Sequence, residues 1–224
     1  MIIHPAPQGS PEWLAARLGI PTASNFGKIL TASRNPSKQA DAYMNTLLAG
    51  WLAGQPVDHE TTVWMERGNE LEAEARLSYE IQTGQDVEEV GLVYLDERRN
   101  VGASPDGLFT LSPVQWAYNE EDAGIDYKVV GKCAGLEIKC PKASTLVTYY
   151  DKGCPAKYVP QIQGQMWVCE LEWVDFYAYH PDLKPYLSRV ERDEGYIRLL
   201  AEAVEAFNNR LSQRREELAK WKLQ

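Results

Sequence analysis

The chain has 224 residues, 44 % of them hydrophobic and seven of them tryptophan, enough for one sizeable core and too few to demand two. Its formal net charge of −9 argues against tight, indiscriminate nucleic-acid binding, although a local basic pocket within an acidic exterior stays compatible with a nucleic-acid partner. No run approaches the roughly 18 apolar residues of a membrane span, Met1-Ile2-Ile3-His4-Pro5 lacks a signal-peptide pattern, and scattered cysteines and histidines argue against zinc and iron–sulfur sites. The expectation is a soluble, intracellular protein with reduced thiols and one α/β domain over residues 1–224.

Ser10-Pro11 reads as an N-cap followed by proline at the first helical position, opening a helix that Gly19 ends. Thr22-Ala23-Ser24 starts a second short helix through Leu30, and a third runs over about 38–53 and closes at Gly54. A longer helix spans about 60–82, with Trp64, Leu71, Ala75 and Tyr79 near one face and Gly84 past its end. Strand-like runs follow at 87–95, 100–103, 107–111, 127–130 and 136–140, then helices at about 143–152 and 156–169. Strands at 172–179 and 186–191 lead into a last helix over about 193–222, whose stripe of Ile197, Leu200, Val204, Phe207, Leu211, Leu218 and Trp221 reads as core or oligomer packing. Helices first, then a strand-rich middle interrupted by helices, suit a mixed sheet flanked by helices.

Charge stands on or just before two short apolar runs, 136–140 and 107–111. Asp106 lies in Gly-Ala-Ser-Pro-Asp-Gly-Leu, and 31 residues later Glu137 and Lys139 lie in Gly-Leu-Glu-Ile-Lys-Cys-Pro. In a strand, Glu137 and Lys139 point to one face while Ile138 points to the other. Charges on a buried strand need compensation. A structural ion pair between Glu137 and Lys139 is one form of it. Metal coordination is the other, and Asp106 favours it: carboxylates suit Mg²⁺, and a lysine beside them can orient or deprotonate an attacking water. The pattern points to metal-dependent phosphodiester hydrolysis.

Weaker signals surround that pair. Glu72, beside the apolar Leu71 and Ala75, can lean into a cleft or belong to a solvated acidic face with Glu70 and Glu74. Gln161 and Gln163, at the start of a helix, suit phosphate or water contacts, as surface glutamines also do. Arg17 joins the Ser/Thr-rich helix start at Thr22 and Ser24, where free backbone amides favour an anion, and Arg34 lies nearby in sequence.

Six motifs in order carry a resemblance: Arg17-Leu18-Gly19-x-x-Thr22-Ala23-Ser24, Arg67-Gly68-x-x-x-Glu72, Ser104-Pro105-Asp106-Gly107-Leu108, Leu136-Glu137-Ile138-Lys139-Cys140-Pro141, Gln161-Ile162-Gln163-x-x-Met166-Trp167 and Glu191-Arg192-Asp193-Glu194. Over nearly its whole length the chain resembles the bacteriophage lambda exonuclease family, the YqaJ-like viral recombinases of the PD-(D/E)XK nuclease superfamily. The resemblance implies a restriction-endonuclease-like α/β fold and a Mg²⁺-dependent enzyme, with two ions and Mn²⁺ as a possible substitute. It implies processive 5′-to-3′ digestion of the 5′-ended strand of duplex DNA, leaving 3′ overhangs for a single-strand annealing protein. It also implies a homotrimeric ring around DNA and a phage or prophage protein working in the cytoplasm of a bacterial host.

Carried over by motif, Asp106, Glu137, the Ile138 carbonyl and Glu72 would hold metal, Lys139 would act on the water, and Gln161 and Tyr158 would support the site. Arg17, Ser24 and Arg34 would bind a 5′-phosphate, and Trp13 and Met65 would part or hold the strands. The segment 110–134, with Trp116, Tyr118, Glu120, Glu121, Asp122 and Asp126, is longer than the family's turn and reads as an extended surface hairpin or loop that could meet a partner or line a channel entrance. Two alternatives stay open: a PD-(D/E)XK endonuclease of restriction or repair, and a non-catalytic DNA-end or protein-binding module.

Overall fold

The computed structural model describes residues 1–57, 63–111, 115–118, 127–130 and 133–222, with the side chains of 63–69, 115–118 and 127–130 outside the description. The elements in chain order are β1 (Ile2–Ile3), α1 (Pro11–Ala16), a 3₁₀ helix (Ala23–Lys28), α2 (Ala40–Ala53), α3 (Val63–Thr83), β2 (Val93–Tyr94), β3 (Gly102–Ala103) and β4 (Gly107–Thr110). They continue with β5 (Gln115–Tyr118), β6 (Tyr127–Val130), β7 (Cys133–Lys139), α4 (Ala143–Lys152), a 3₁₀ turn (Ala156–Tyr158), α5 (Val159–Val168), β8 (Trp173–His180), β9 (Leu183–Glu191) and α6 (Glu194–Leu218).

The helix termini follow their local chemistry. Ser10 accepts from the Trp13 N–H and Asp193 from the Tyr196 N–H, each supplying an acceptor to an otherwise unpaired first-turn donor. Beyond α2 and α3, Gly54 and Gly84 take φ of 68° and 71°, a conformation that costs glycine little.

The central sheet has strand order β4-β7-β8-β9 and is mixed: β7 and β8 run parallel, the other pairs antiparallel. This is the mixed sheet flanked by helices that the sequence predicts. One face of β7 and β8 packs on α3 through Ala75, Tyr79, Phe109, Leu136, Ile138 and Tyr177. The other face meets α4, α5 and α6 in a larger core that includes Leu146, Ile162, Met166, Phe176, Tyr196 and Leu200. Burial on both sides explains why β8 is apolar almost without alternation.

The stripe on α6 is core at Ile197, Leu200, Val204, Phe207 and Leu211, whereas Trp221 is exposed. A second sheet, β3-β2-β1-β6-β5, is less legible in sequence. The run expected over 87–95 forms a strand only at Val93–Tyr94, and β1 at the N-terminus joins β2 to β6. Within the long segment after Asp106, β5 and β6 pair as an antiparallel hairpin. Trp116 and Tyr118 lie on β5 with side chains outside the description, and Glu120, Glu121, Asp122 and Asp126 lie outside the described residues.

Candidate active site

The parallel pairing of β7 with β8 sets Glu137 opposite Phe176 in the sheet, with none of its surface exposed. Its carboxylate is surrounded by donors. Lys139, two residues along the same face, contacts Oε1, and Gln161 Nε2 donates to that oxygen at 2.6 Å. Gln165 Nε2 donates to Oε2 at 2.5 Å. The Glu137–Lys139 ion pair, the alternative to metal coordination in the sequence reading, is present, and the glutamine amides of α5 turn inward to a buried carboxylate that needs donors.

Asp106 stands where the chain enters β4. Its N–H donates to the Leu136 carbonyl at 3.1 Å, and its Oδ2 accepts from the Ile138 N–H at 2.6 Å, so the carboxylate is fixed beside Glu137 by the sheet itself. The loop carrying it is held from the other side. Gln8 Nε2 donates to the Pro105 carbonyl at 2.8 Å, and Trp13 Nε1 donates to Ser104 Oγ at 3.1 Å.

Burial, then the neighbouring Glu137 charge, push the Asp106 carboxyl well above the usual carboxylate range. Burial also works against the Lys139 ammonium, but Glu137 and Asp106 outweigh it and hold its pKa above the ordinary lysine value. Lys139, about a quarter exposed at 26 %, is thus a firm cation while it pairs with Glu137. In this arrangement it suits orienting a water better than deprotonating one.

Glu72 reaches the same cleft from α3. Its Oε1 accepts from Arg76 Nη2 at 3.0 Å, and burial raises its carboxyl above the ordinary value. Arg76 also contacts Glu89, and its Nε donates to the Asp106 carbonyl at 3.3 Å, so one buried guanidinium joins α3 to the Asp106 loop. Tyr158 lies beside Lys139, whose Nζ is 5.5 Å from the ring centroid. Cys154 shares the neighbourhood, and burial, followed by the Glu137 charge, pushes its thiol up to about 11, away from nucleophilic reactivity.

Asp106, Glu137 and the Ile138 carbonyl offer only hard oxygen donors, and two carboxyl groups share the site with the single lysine Lys139. That chemistry fits a hard divalent cation that retains part of its water shell. Among the described residues no three His, Cys, Asp or Glu side chains converge closely enough to hold an ion by themselves. Glu72 pairs with Arg76, and Lys139 and Gln161 both contact Glu137 Oε1.

A cavity of about 930 Å³ opens from Asp106 and Glu72 past Arg76 to Trp13 and Arg17. It adjoins a second of about 550 Å³, lined by Arg17, Thr22, Ser24, Lys28, Tyr43 and Thr46. A third, of about 290 Å³, carries Ser24 and Lys28 round to Lys157 and Gln161. Arg17 Nη2 donates to Thr22 Oγ1 at 3.3 Å, which in turn lies 3.3 Å from Ser24 Oγ. The Arg17 guanidinium stacks at 4.1 Å over Trp13, a largely buried wall of the cleft.

Arg34 is held elsewhere. Its Nη2 donates to Asp193 Oδ2 at 2.6 Å, with both side chains about half exposed. Met65 lies on α3, with its side chain outside the described residues. Gln165, Arg76 and Gln8 were not singled out from sequence. Only the i,i+4 spacings of 161 with 165 and 72 with 76 hint at the first two.

Residues 12–172 match the family of the YqaJ-like viral recombinase domain. Among solved structures, the alkaline exonuclease LHK-Exo of Laribacter hongkongensis is 32 % identical, with a TM-score of 0.77 covering 94 % of this chain and 97 % of that one. LHK-Exo in complex with dAMP gives 31 %, a TM-score of 0.76 and the same coverage. A phage-related exonuclease of Haemophilus somnus 129PT shares the fold at 16 % identity and a TM-score of 0.62, over 89 % of this chain and 96 % of that one. No curated protein sequence matches the chain. The four-stranded mixed sheet flanked by helices is PD-(D/E)XK-like, with Asp106 just before β4 and Glu137-Ile138-Lys139 on β7.

Proposed function

From a chain that belongs to the YqaJ-like viral recombinase family, we propose a Mg²⁺-dependent exonuclease acting on duplex DNA ends in recombination, with residues 1–224 as one exonuclease domain. The observation that carries this reading is the buried Glu137 carboxylate, aligned with Asp106 by the β4–β7 ladder and facing a lysine and two amides beside a cleft. The 32 % identity to an alkaline exonuclease supports it, as does that relative's complex with dAMP, a nucleoside monophosphate.

Asp106, Glu137 and the Ile138 carbonyl would hold Mg²⁺, with Mn²⁺ as a substitute, and Glu72 would contribute to a second ion. When bound, such ions polarise the phosphoryl oxygens and acidify water. Lys139 orients the water whose oxygen attacks phosphorus, while the P–O bond to the departing nucleotide's 3′ oxygen breaks and that oxygen takes a proton. Gln161 keeps Glu137 in place, and Tyr158 packs beside Lys139. Arg17 and Ser24 bind the 5′-phosphate in the basic pocket next to the cleft, and Arg34 joins them on leaving Asp193. Trp13 and Met65 guide the strands.

The substrate is then a 5′-phosphorylated duplex end, digested 5′-to-3′ to leave a 3′ overhang for an annealing protein. A homotrimeric ring would supply processivity by enclosing the DNA. The reading places the enzyme in the cytoplasm of a bacterial host, encoded by a phage or prophage. Strand-specifically labelled linear duplexes with 5′-phosphate or 5′-hydroxyl ends, and a covalently closed circle, test it in Mg²⁺. Rapid loss of the 5′-ended strand from phosphorylated ends, with the circle intact, is the expected result. Cleavage of the circle would instead favour an endonuclease.

A further inference from the structure

Three glutamines stand at alternate positions of α5, and the structure uses each differently. Gln163 employs both ends of its amide: Nε2 donates to the Glu191 carbonyl at 2.9 Å, and Oε1 accepts from the Asp193 N–H at 2.9 Å, stitching α5 to the β9–α6 corner. Gln161, at the edge of the cleft, shares Glu137 Oε1 with Lys139. Gln165 is 1 % exposed and donates to Glu137 Oε2, while its own Oε1 is buried with no hydrogen-bond partner among the described residues.

A buried amide selected for packing satisfies both ends, as Gln163 does. Gln165 leaves its acceptor unpaired, and turning the amide over would set oxygen against a carboxylate oxygen. Its orientation is therefore dictated by Glu137. The two Glu137 oxygens are also unequal. Any ligand taking Oε1 must compete with Lys139 and Gln161, whereas Gln165 grips Oε2 alone and can remain while that exchange occurs.

We infer that Gln165 is a positioning residue for the metal-binding carboxylate, holding Glu137 Oε2 from behind so that Oε1 stays turned to the cleft and to an incoming divalent cation. The inference rests on the metal-dependent reading above. It assigns Gln165 a role in ion affinity, with no contact to DNA. Hydrogen-bond partners of metal ligands change affinity by roughly 10- to 100-fold when removed.

The test is Mn²⁺ titration followed by electron paramagnetic resonance on the wild-type chain, Gln165→Met and Gln163→Met, with thermal unfolding in EDTA alongside. Gln165→Met should raise the Mn²⁺ dissociation constant about tenfold and lower kcat at limiting metal. Saturating Mn²⁺ should recover kcat, and KM for duplex DNA should not change. Gln163→Met should lower the melting temperature and leave Mn²⁺ affinity alone. Should Gln165→Met fail to fold, Gln165→Ser, which adds no bulk and cannot reach Glu137, is measured in the same way. Wild-type Mn²⁺ affinity in a folded Gln165 variant, or a kcat loss that excess metal does not recover, overturns the inference. Wild-type protein that binds no Mn²⁺ overturns the metal reading itself, and this inference with it.

Discussion

Gly164 and Phe26 are in such close approach that a Cβ on Gly164 would lie 2.3 Å from Phe26 Cδ2. This contact seats the 3₁₀ helix carrying Ser24 against α5, which carries Gln161 and Gln165, and so brings the basic pocket alongside the carboxylate site. Phe26 is fully buried and has no room to withdraw. Gly164→Ala should therefore destabilise the fold by about 1–3 kcal/mol, despite alanine's better helix propensity. Urea unfolding measures that loss, and a reduced preference for 5′-phosphorylated ends should accompany it.

Asp106→Asn should separate stability from activity. The raised Asp106 pKa means that its ionisation opposes folding: in metal-free protein, stability is highest below the unfolded-state value of 3.8 and falls as pH rises from there through the folded-state value. The amide removes that penalty at neutral pH. We expect a higher melting temperature in EDTA, no further rise on adding Mg²⁺, and no nuclease activity. An unchanged or lower melting temperature in EDTA would contradict the electrostatic account.

The Arg34–Asp193 pair makes the 5′-phosphate assignment testable. Both side chains are about half exposed, so the pair itself should contribute less than about 1 kcal/mol. Asp193→Asn keeps an acceptor for the Tyr196 N–H but releases Arg34 from a carboxylate. It should preserve or sharpen discrimination between 5′-phosphate and 5′-hydroxyl ends, whereas Arg34→Ala should weaken it. Equal digestion of both ends by wild type and Arg34→Ala alike would remove Arg34 from the pocket.

A structural control lies on the far side of the sheet. Buried Asp175 accepts from Tyr79 Oη at 2.9 Å and from Arg189 Nε and Nη2 at 2.9 and 3.0 Å, while the Arg189 guanidinium lies 4.2 Å over Trp173. Arg189→Leu should cost roughly 1–3 kcal/mol, moderated by solvent around a half-exposed guanidinium. Chemical denaturation measures the cost, and Mn²⁺ affinity should stay at the wild-type value.

The local pattern by itself determined the long helices, their capped ends and the strands of the central sheet. Ser10-Pro11, Gly54, Gly84 and the apolar run of β8 act through neighbours a few residues away, so they are legible along the chain. The same holds for Glu137 and Lys139 sharing a face, because strand geometry imposes a period of two. The short strands of the second sheet were harder to read, since two-residue pairings such as Ile2–Ile3 with Val93–Tyr94 depend on partners remote in sequence.

Only the tertiary structure decided what surrounds the two carboxylates. Gln165 meets Glu137 across 28 residues, Arg76 reaches the Asp106 carbonyl across 30, and Arg34 finds Asp193 across 159. No periodicity encodes such distances. They arise because a charge buried in the sheet must find donors wherever the fold brings them, and the division of one carboxylate between Lys139 and Gln161 on Oε1 and Gln165 on Oε2 exists only once the helix and the strands have packed.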